Sequence, residues 1–334
     1  VYELLGICLA LAALLAVNAC ATLLAAIVWR AVSSRSARLS AAARARLLFT
    51  LRVMPSALAV ALVFALVIPA YILHEPAHTD EVVGVKMLIL AAASAAGVLL
   101  AFIRIAATWR ATRRLVREWT HDAALVAVEG VRFPAYKIRH KFPLIAVVGV
   151  VRPRLFIASQ VFDSLSADEL AAALAHERGH VEARDNLKRA LLRAAQDAFF
   201  FAPPGSKLVR AWQRASEEAA DEAAACESPA TALNLASAIV KISRMIPAGA
   251  RPTLPAAAHL LGDEEDGLSR RIRNLLRLAA TQNRSLALRR SPVSNVFTLT
   301  FWTGVTIACL LIITDPAILQ ATHEAIERVV AALR

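Results

Sequence analysis

Two histidines four residues apart, with a glutamate directly after the first, make up His176-Glu177-Arg178-Gly179-His180. On a helix, residues i and i+4 lie one above the other on one face. Two imidazoles so placed can grip one metal ion, and zinc is the ion that the H-E-x-x-H spacing suits. Glu177 would then project beside the water that such an ion activates, ready to take its proton. The chemistry implied is hydrolysis of a peptide bond. A catalytic zinc takes three protein ligands and keeps one position open, so a third donor must come from elsewhere in the chain.

The neighbouring sequence supplies the elements to hold these groups. Ser166-Ala167-Asp168-Glu169 reads as a capping box that starts the motif helix. Leu170, Leu174 and Val181 follow among helix-forming alanines. Upstream, the apolar runs 124–128, 144–148 and 155–158 are separated by Gly130, Pro134, Pro143 and Pro153 and read as strands. They predict a small sheet packed on the motif helix, with an edge strand able to take up an extended substrate by strand addition. Downstream, Pro203-Pro204-Gly205 breaks the chain, and a helix starting near Ser206 carries Trp212, Glu217, Glu218 and Asp221. Its polar stripe is where a third ligand is sought. Glu217 and Glu218 point about 100° apart on a helix, so only one can face the imidazoles. Glu217 shares a face with Gln213 and Asp221; Glu218 shares one with Arg214 and Glu222, as a solvated charge cluster. Arg178 lies off the metal face, within reach of Glu182. Gly179 costs the helix about 1 kcal/mol against alanine, but leaves room beside His180.

Composition places this machinery at a membrane. Of 334 residues 58% are hydrophobic, with a mean hydropathy of +0.54, too apolar for an ordinary soluble domain. The formal net charge is +12. The arginines cluster beside apolar runs, as membrane flanks do, so no direct nucleic-acid contact is expected. Cys8, Cys20 and Cys309 lie in apolar runs, Cys226 stands alone, and no C-x-x-C spacing exists, so no disulfide framework or cysteine zinc site is indicated.

Residues 1–117 are expected to hold three membrane spans, at about 4–29, 53–73 and 82–103. Residues 30–52, with six arginines and no acid, read as a cytoplasmic loop, in part a surface amphipathic helix. His74-Glu75-Pro76-Ala77-His78 brings possible metal donors into a short outer loop, but Pro76 makes a solvated turn the reading adopted. Residues 118–290 form the polar domain. Within it, 247–267 reads as a mobile loop, and Arg270, Arg271, Arg273 and Arg277 alternate with Ile272, Leu275, Leu276 and Leu278 as a basic, membrane-facing helix. Residues 291–334 hold a fourth span, about 291–314, and a short amphipathic tail. The alternation of basic and acidic flanks predicts a multi-pass cell-membrane protein in contact with the lipid bilayer. Its amino terminus and carboxyl tail lie outside and its polar domain lies in the cytoplasm.

Gly149-Val150-Val151-Arg152-Pro153-Arg154-Leu155-Phe156-Ile157, then Leu165 to Leu170, His176 to His180 and Arg184-Asp185-Asn186-Leu187 stand in an order that resembles the BlaR/MecR-type membrane metallopeptidases. The layout is similar over nearly the whole chain, and the motifs over about residues 145–225. These are zinc proteases held between a third and a fourth span, and the best-known members relieve repression of resistance genes. The resemblance implies that Glu217, four residues before Asp221, is the third zinc ligand, with Asp221 holding an imidazole N–H. Arg178 departs from the family, which usually has an aliphatic residue there. After residue 314 there is no S-x-x-K or K-T-G, so the outer penicillin-binding sensor domain, and direct β-lactam sensing, are not expected.

The expectation is a mainly α membrane protein. It has four transmembrane helices and an inserted α+β zincin-like (gluzincin) metalloprotease domain with a small sheet. Zn2+ is held by His176, His180 and Glu217, Glu177 is the catalytic base, and Asp221 lies behind the ligands. The substrate is a protein or peptide; the resemblance suggests a cytosolic DNA-binding repressor or the protease itself. Two rivals stand beside this: a Ste24/HtpX-type quality-control or prenyl-protein-processing zinc protease, and a non-catalytic membrane receptor or scaffold that keeps a zinc-binding fold.

Overall fold

A computed structural model describes residues 2–36, 38–76, 83–128, 130–197, 204–246, 265–281 and 315–333, with isolated positions between 303 and 311. Helix α1 spans Tyr2–Ser36. A second long helix, Ala41–His74, consists of α2 (Ala41–Leu62), one π turn (Val63–Val67) and α3 (Ile68–His74). Helix α4 spans Val85–His121. Among the described residues these three are long and apolar enough to cross a membrane, with mean hydropathies between 2.3 and 2.5 in their best windows. Leu23, Leu24, Ile27, Phe64, Ile72, Leu99 and Phe102 are exposed on their outer faces, apolar surface that suits lipid rather than water. Between helices a polar contact replaces the hydrophobic effect: the Ser56 hydroxyl donates to Asn18 Oδ1 at 3.0 Å.

The helices outrun the expected spans because a helix does not end where the hydrocarbon does. The expected basic loop 30–52 is mostly helix: α1 continues to Ser36, and Ser40 caps α2 by accepting from the Ala43 N–H. Helix α4 likewise runs well past residue 103, to His121 at the edge of the sheet. The fourth span, residues 291–314, and the segment 247–264 lie outside the described residues.

Strands β1 (Ala124–Val126), β2 (Ala135–Ile138), β3 (Ile145–Val148) and β4 (Arg154–Ala158) form a sheet in the order β1-β2-β4-β3, with β2 and β4 parallel and the other pairs antiparallel. The β3–β4 connection turns at Gly149, whose φ is 111° and where a Cβ would sit 2.7 Å from the Arg152 carbonyl oxygen. All of β3 is buried, a pattern expected of a strand covered on both faces.

A short helix α5 (Ser159–Ser164) leads into the motif helix α6 (Ala167–Glu182). The capping box is present: Ser166 Oγ accepts from the Glu169 N–H, and Glu169 accepts from the Ser166 N–H. Helices α7 (Asp185–Asp197), α8 (Pro204–Ala225), α9 (Pro229–Arg244) and α10 (Glu265–Thr281) follow. One core joins β3 and β4 to Ala173 and Leu174 of α6 and to Ala238 and Ile242 of α9. A second gathers Ala172, Ala175, Ala224, Leu235, Ile239 and Leu275 on the other side of α6. The alanines of α6 are what allow helices to crowd it from two sides. Gly179 acts in the same way. A Cβ there would meet Ala220 Cα at 3.3 Å and Ala223 Cβ at 3.4 Å, so the room it leaves is filled by α8 rather than lying open beside His180.

Helices α7 and α8 are seated on the second long helix. Trp212 of α8 is buried with Leu192, Leu208 and Ala215 against Ala45 and Leu48 of α2. Arg44 pairs with Glu218, and the Glu222 carboxylate accepts from the Ala41 N–H at 3.2 Å, an acid on the positive end of α2. The tail is an 18-residue helix, α11 (Pro316–Leu333). Its Leu319, Ile326 and Val330 pack with Leu5, Leu9, Tyr71 and Met87 of α1, α3 and α4.

Candidate metal centre

The i, i+4 spacing on α6 brings His176 Nε2 and His180 Nε2 to 3.2 Å from one another. From α8, Glu217 places Oε2 at 3.6 Å from His176 Nε2 and Oε1 at 3.5 Å from His180 Nε2. His176 is fully buried and Glu217 is buried. Glu217 Oε2 accepts no hydrogen bond, and its charge is met at 3.3 Å by the Arg271 guanidinium.

Each imidazole is held from behind by an aspartate. Asp221, one turn beyond Glu217, lies with Oδ1 2.9 Å from His176 Nδ1. That contact is a close ion pair rather than a well-aligned hydrogen bond. Asp185 Oδ2 lies 2.7 Å from His180 Nδ1 and also accepts from the Ser216 hydroxyl at 2.6 Å. Asp185 reaches this place because α6 stops at Ala183 and Arg184 takes a left-handed conformation, φ 54°, which is unfavourable for a side chain with a Cβ and turns the chain back sharply.

Behind Asp221 sits Arg271 of α10. Its Nε and NH2 donate to the two Asp221 oxygens at 2.8 and 2.7 Å, and NH1 lies 3.3 Å from Glu217 Oε2. Arg189 approaches Glu217 Oε1 at 3.4 Å. Arg271 is only 3% exposed, so the expected membrane-facing surface on this helix is wrong for this residue. A buried guanidinium needs paired acids, and here the acids are those of the metal centre. Arg270 pairs with Glu218 at 3.2 Å, so Glu218 serves Arg44 and Arg270 and is not simply a solvated neighbour of Arg214 and Glu222. Arg178 does lie 4.0 Å from Glu182, and also pairs with Glu227.

Glu177 is 7% exposed, and its Oε2 accepts from the Val147 N–H of β3 at 3.3 Å. Burial pushes its carboxyl above the usual range against the pull of His180 and His176. The Val147 carbonyl accepts from Asn186 Nδ2 at 3.0 Å, and so does the Gly149 carbonyl. Strand β3 is therefore a sheet edge beside the motif helix, as expected, but its backbone at Val147 is already engaged by Glu177 and Asn186.

The electrostatics favour a cation. Burial lowers the His180 imidazole, yet Glu217 and Asp185 outweigh it and push it up to about 10. Burial raises Glu217, yet His180 and His176 hold it well below the usual carboxylate range. The donor set also fits zinc. Tetrahedral ligands at Zn–N and Zn–O distances of about 2.0–2.1 Å stand roughly 3.4 Å apart, close to the 3.2, 3.5 and 3.6 Å between these donor atoms. The three donors together form a group able to hold a metal ion.

Residues 13–275 match the family model described as BlaR1 peptidase M56. The chain belongs to the BlaR1 peptidase M56 family. The matched stretch begins inside α1 and ends on α10, so it takes in most of α1, the other two membrane-length helices, the histidines, Glu217, Asp221 and Arg271. Membership makes the chain a metallopeptidase by family, and the apolar helices associate it with a membrane. No curated protein matches the chain.

Sequence reasoning missed Asp185, Ser216, Arg189 and Arg271 as parts of this site. Asp185 stood in the Arg-Asp-Asn-Leu segment that carried the family resemblance, which was the one available signal. Arg271 gave none, since its helix looks like any basic amphipathic one.

Proposed function

We propose that this M56-family chain is a membrane zinc endopeptidase in which His176, His180 and Glu217 hold the metal. The observation that carries the reading is the buried Glu217 carboxylate set against both imidazoles, Oε2 3.6 Å from His176 Nε2 and Oε1 3.5 Å from His180 Nε2, with Glu177 beside His176 on α6. Zinc, when bound there, supplies a Lewis acid that acidifies water and polarises a carbonyl. The protein supplies the rest. Glu177, raised by burial, takes a proton from the attacking water and hands it to the leaving amine. Asp221 and Asp185 fix the imidazoles so that each presents Nε2 forward. Arg271 neutralises Asp221 and keeps Glu217 from turning away. Release of Val147 by Glu177 would free one N–H of the β3 edge for an extended peptide.

The active site is proposed to face the cytoplasm. Arg30 and Arg35 lie toward the end of α1, Arg44 and Arg46 at the start of α2, and Arg110 to Arg117 toward the end of α4, and a shared basic side of this kind is what the positive-inside rule asks of a cytoplasmic face. A regulatory role, cleavage of a repressor or of the protease itself, is supported by family membership.

Glu177→Gln tests the mechanism. The purified variant should keep its zinc and lose hydrolysis of a peptide substrate. It should also retain bound substrates in cells for identification. Cleavage at the wild-type rate would remove Glu177 from the mechanism, and loss of zinc would give it a structural part instead.

A further inference from the structure

At the opposite end of the second long helix, roughly 50 Å from Ala41 at about 1.5 Å per residue, three more metal-binding side chains meet. Glu75 ends α3. His323 and Glu327 come from α11, four residues apart and so on one face. One donor atom from each lies within 4.8 Å of the others. We propose that Glu75, His323 and Glu327 form a second site for a divalent d-block cation, of the zinc type, that fastens the tail helix to the end of α3.

Several independent features point to a cation. Two carboxylates and an imidazole gathered this close can share one cation, which lowers the repulsion between the acids. Glu75 is the C-cap of α3, where the carbonyl ends of a helix add further negative potential. His323 Nδ1 is enclosed and has no hydrogen-bond partner. His74 stacks on the His323 ring, with centroids 5.6 Å apart, and its own Nδ1 is directed to the Ala70 carbonyl at 3.2 Å. The His323 ring is thus held in place rather than free to swing to solvent. One imidazole and two carboxylates are a donor set for zinc or a neighbouring transition metal rather than for calcium or magnesium, which prefer oxygen alone. The apolar seam of Leu319, Ile326 and Val330 already lays α11 on the bundle; the cation would fix its register there. Sequence reading weighed His74, Glu75 and His78 and settled on a solvated turn. The donors that complete the site lie some 250 residues further on, and His78 is outside the described residues.

Metal content of the full-length protein in detergent tests this, after stripping with chelator, reloading with zinc and removing excess. Wild type should retain about two equivalents and Glu327→Gln about one. His323→Gln should also retain about one, which guards against a fault particular to one variant. Glu217→Ala should lose the other equivalent, so the two sites are read separately. One equivalent in wild type, unchanged in Glu327→Gln and His323→Gln, would overturn the proposal and leave a histidine–carboxylate ion pair at this end. Two equivalents in wild type that persist in both tail variants would overturn it as well.

Discussion

Asp185 Oδ2 stands between two donors, 2.7 Å from His180 Nδ1 and 2.6 Å from Ser216 Oγ. It ties the helix carrying both histidines to the helix carrying Glu217. Asp185→Ala should therefore lower zinc affinity or peptidase rate by about 10- to 100-fold, the usual effect of removing a group that orients a ligand. Ser216→Ala removes only the hydroxyl that steadies the aspartate and should cost less. Zinc titration and peptide hydrolysis on both variants check this; a wild-type Asp185→Ala would mean the contact is incidental.

Glu217 and Glu218 are neighbours in sequence with unrelated tasks. Glu217→Ala should abolish stable zinc binding and activity. Glu218→Ala should leave the zinc in place and instead loosen the pairing with Arg44 and Arg270. Asp221→Ala should fall between them in zinc retention, and it also strands the buried Arg271 without its bidentate partner, so a lower unfolding temperature is expected too. Full zinc in Glu217→Ala, with loss in Glu218→Ala, would move the ligand by one position.

Glu169 gives the peptidase unit an acid limit. Burial raises its carboxyl, but Lys241 and the Ser237 hydroxyl, with the Ser166 N–H, outweigh that and hold it at about 2 against an ordinary 4.5. A carboxyl depressed on folding contributes stability that is present above the unfolded value and is lost as pH falls through the folded one. Stability should thus decline between about pH 4.5 and about pH 2. Denaturant midpoints measured across that interval should fall for wild type and vary less for Glu169→Gln. Parallel slopes for the two proteins would assign the acid sensitivity to other groups.

What could be read from sequence was what lies within one helix or one turn. His176, Glu177 and His180 follow from a single period of α6, and the Ser166–Glu169 capping box from a spacing of three. Helix periodicity showed that only one of Glu217 and Glu218 could face the histidines, and family resemblance, with the face shared by Glu217 and Asp221, selected Glu217. The groups behind the ligands were hidden for physical reasons. Asp185 comes under His180 only because Arg184 is forced into a left-handed turn, a conformation that arginine does not announce. Arg271 is one arginine among many in a chain of formal charge +12, and only tertiary packing separates the buried cation from the solvated ones. Helix limits are a different matter from span limits: hydropathy finds where charge begins, and the helices of this chain continue through their charged ends.

Helix α8 is read by two partners at once. Glu217 and Asp221 turn toward the histidines, while Glu218 and Glu222, each one position later, hold the first turn of α2. A soluble fragment excised after residue 121 would therefore not be the same enzyme in miniature. It would bare Trp212, Leu208 and Leu192 where Ala45 and Leu48 now cover them, and leave the acids of α8 without the helix end they were shaped to hold. Inhibitor screens and crystallisation trials are better served by the intact chain in a lipid or detergent shell than by the isolated catalytic half.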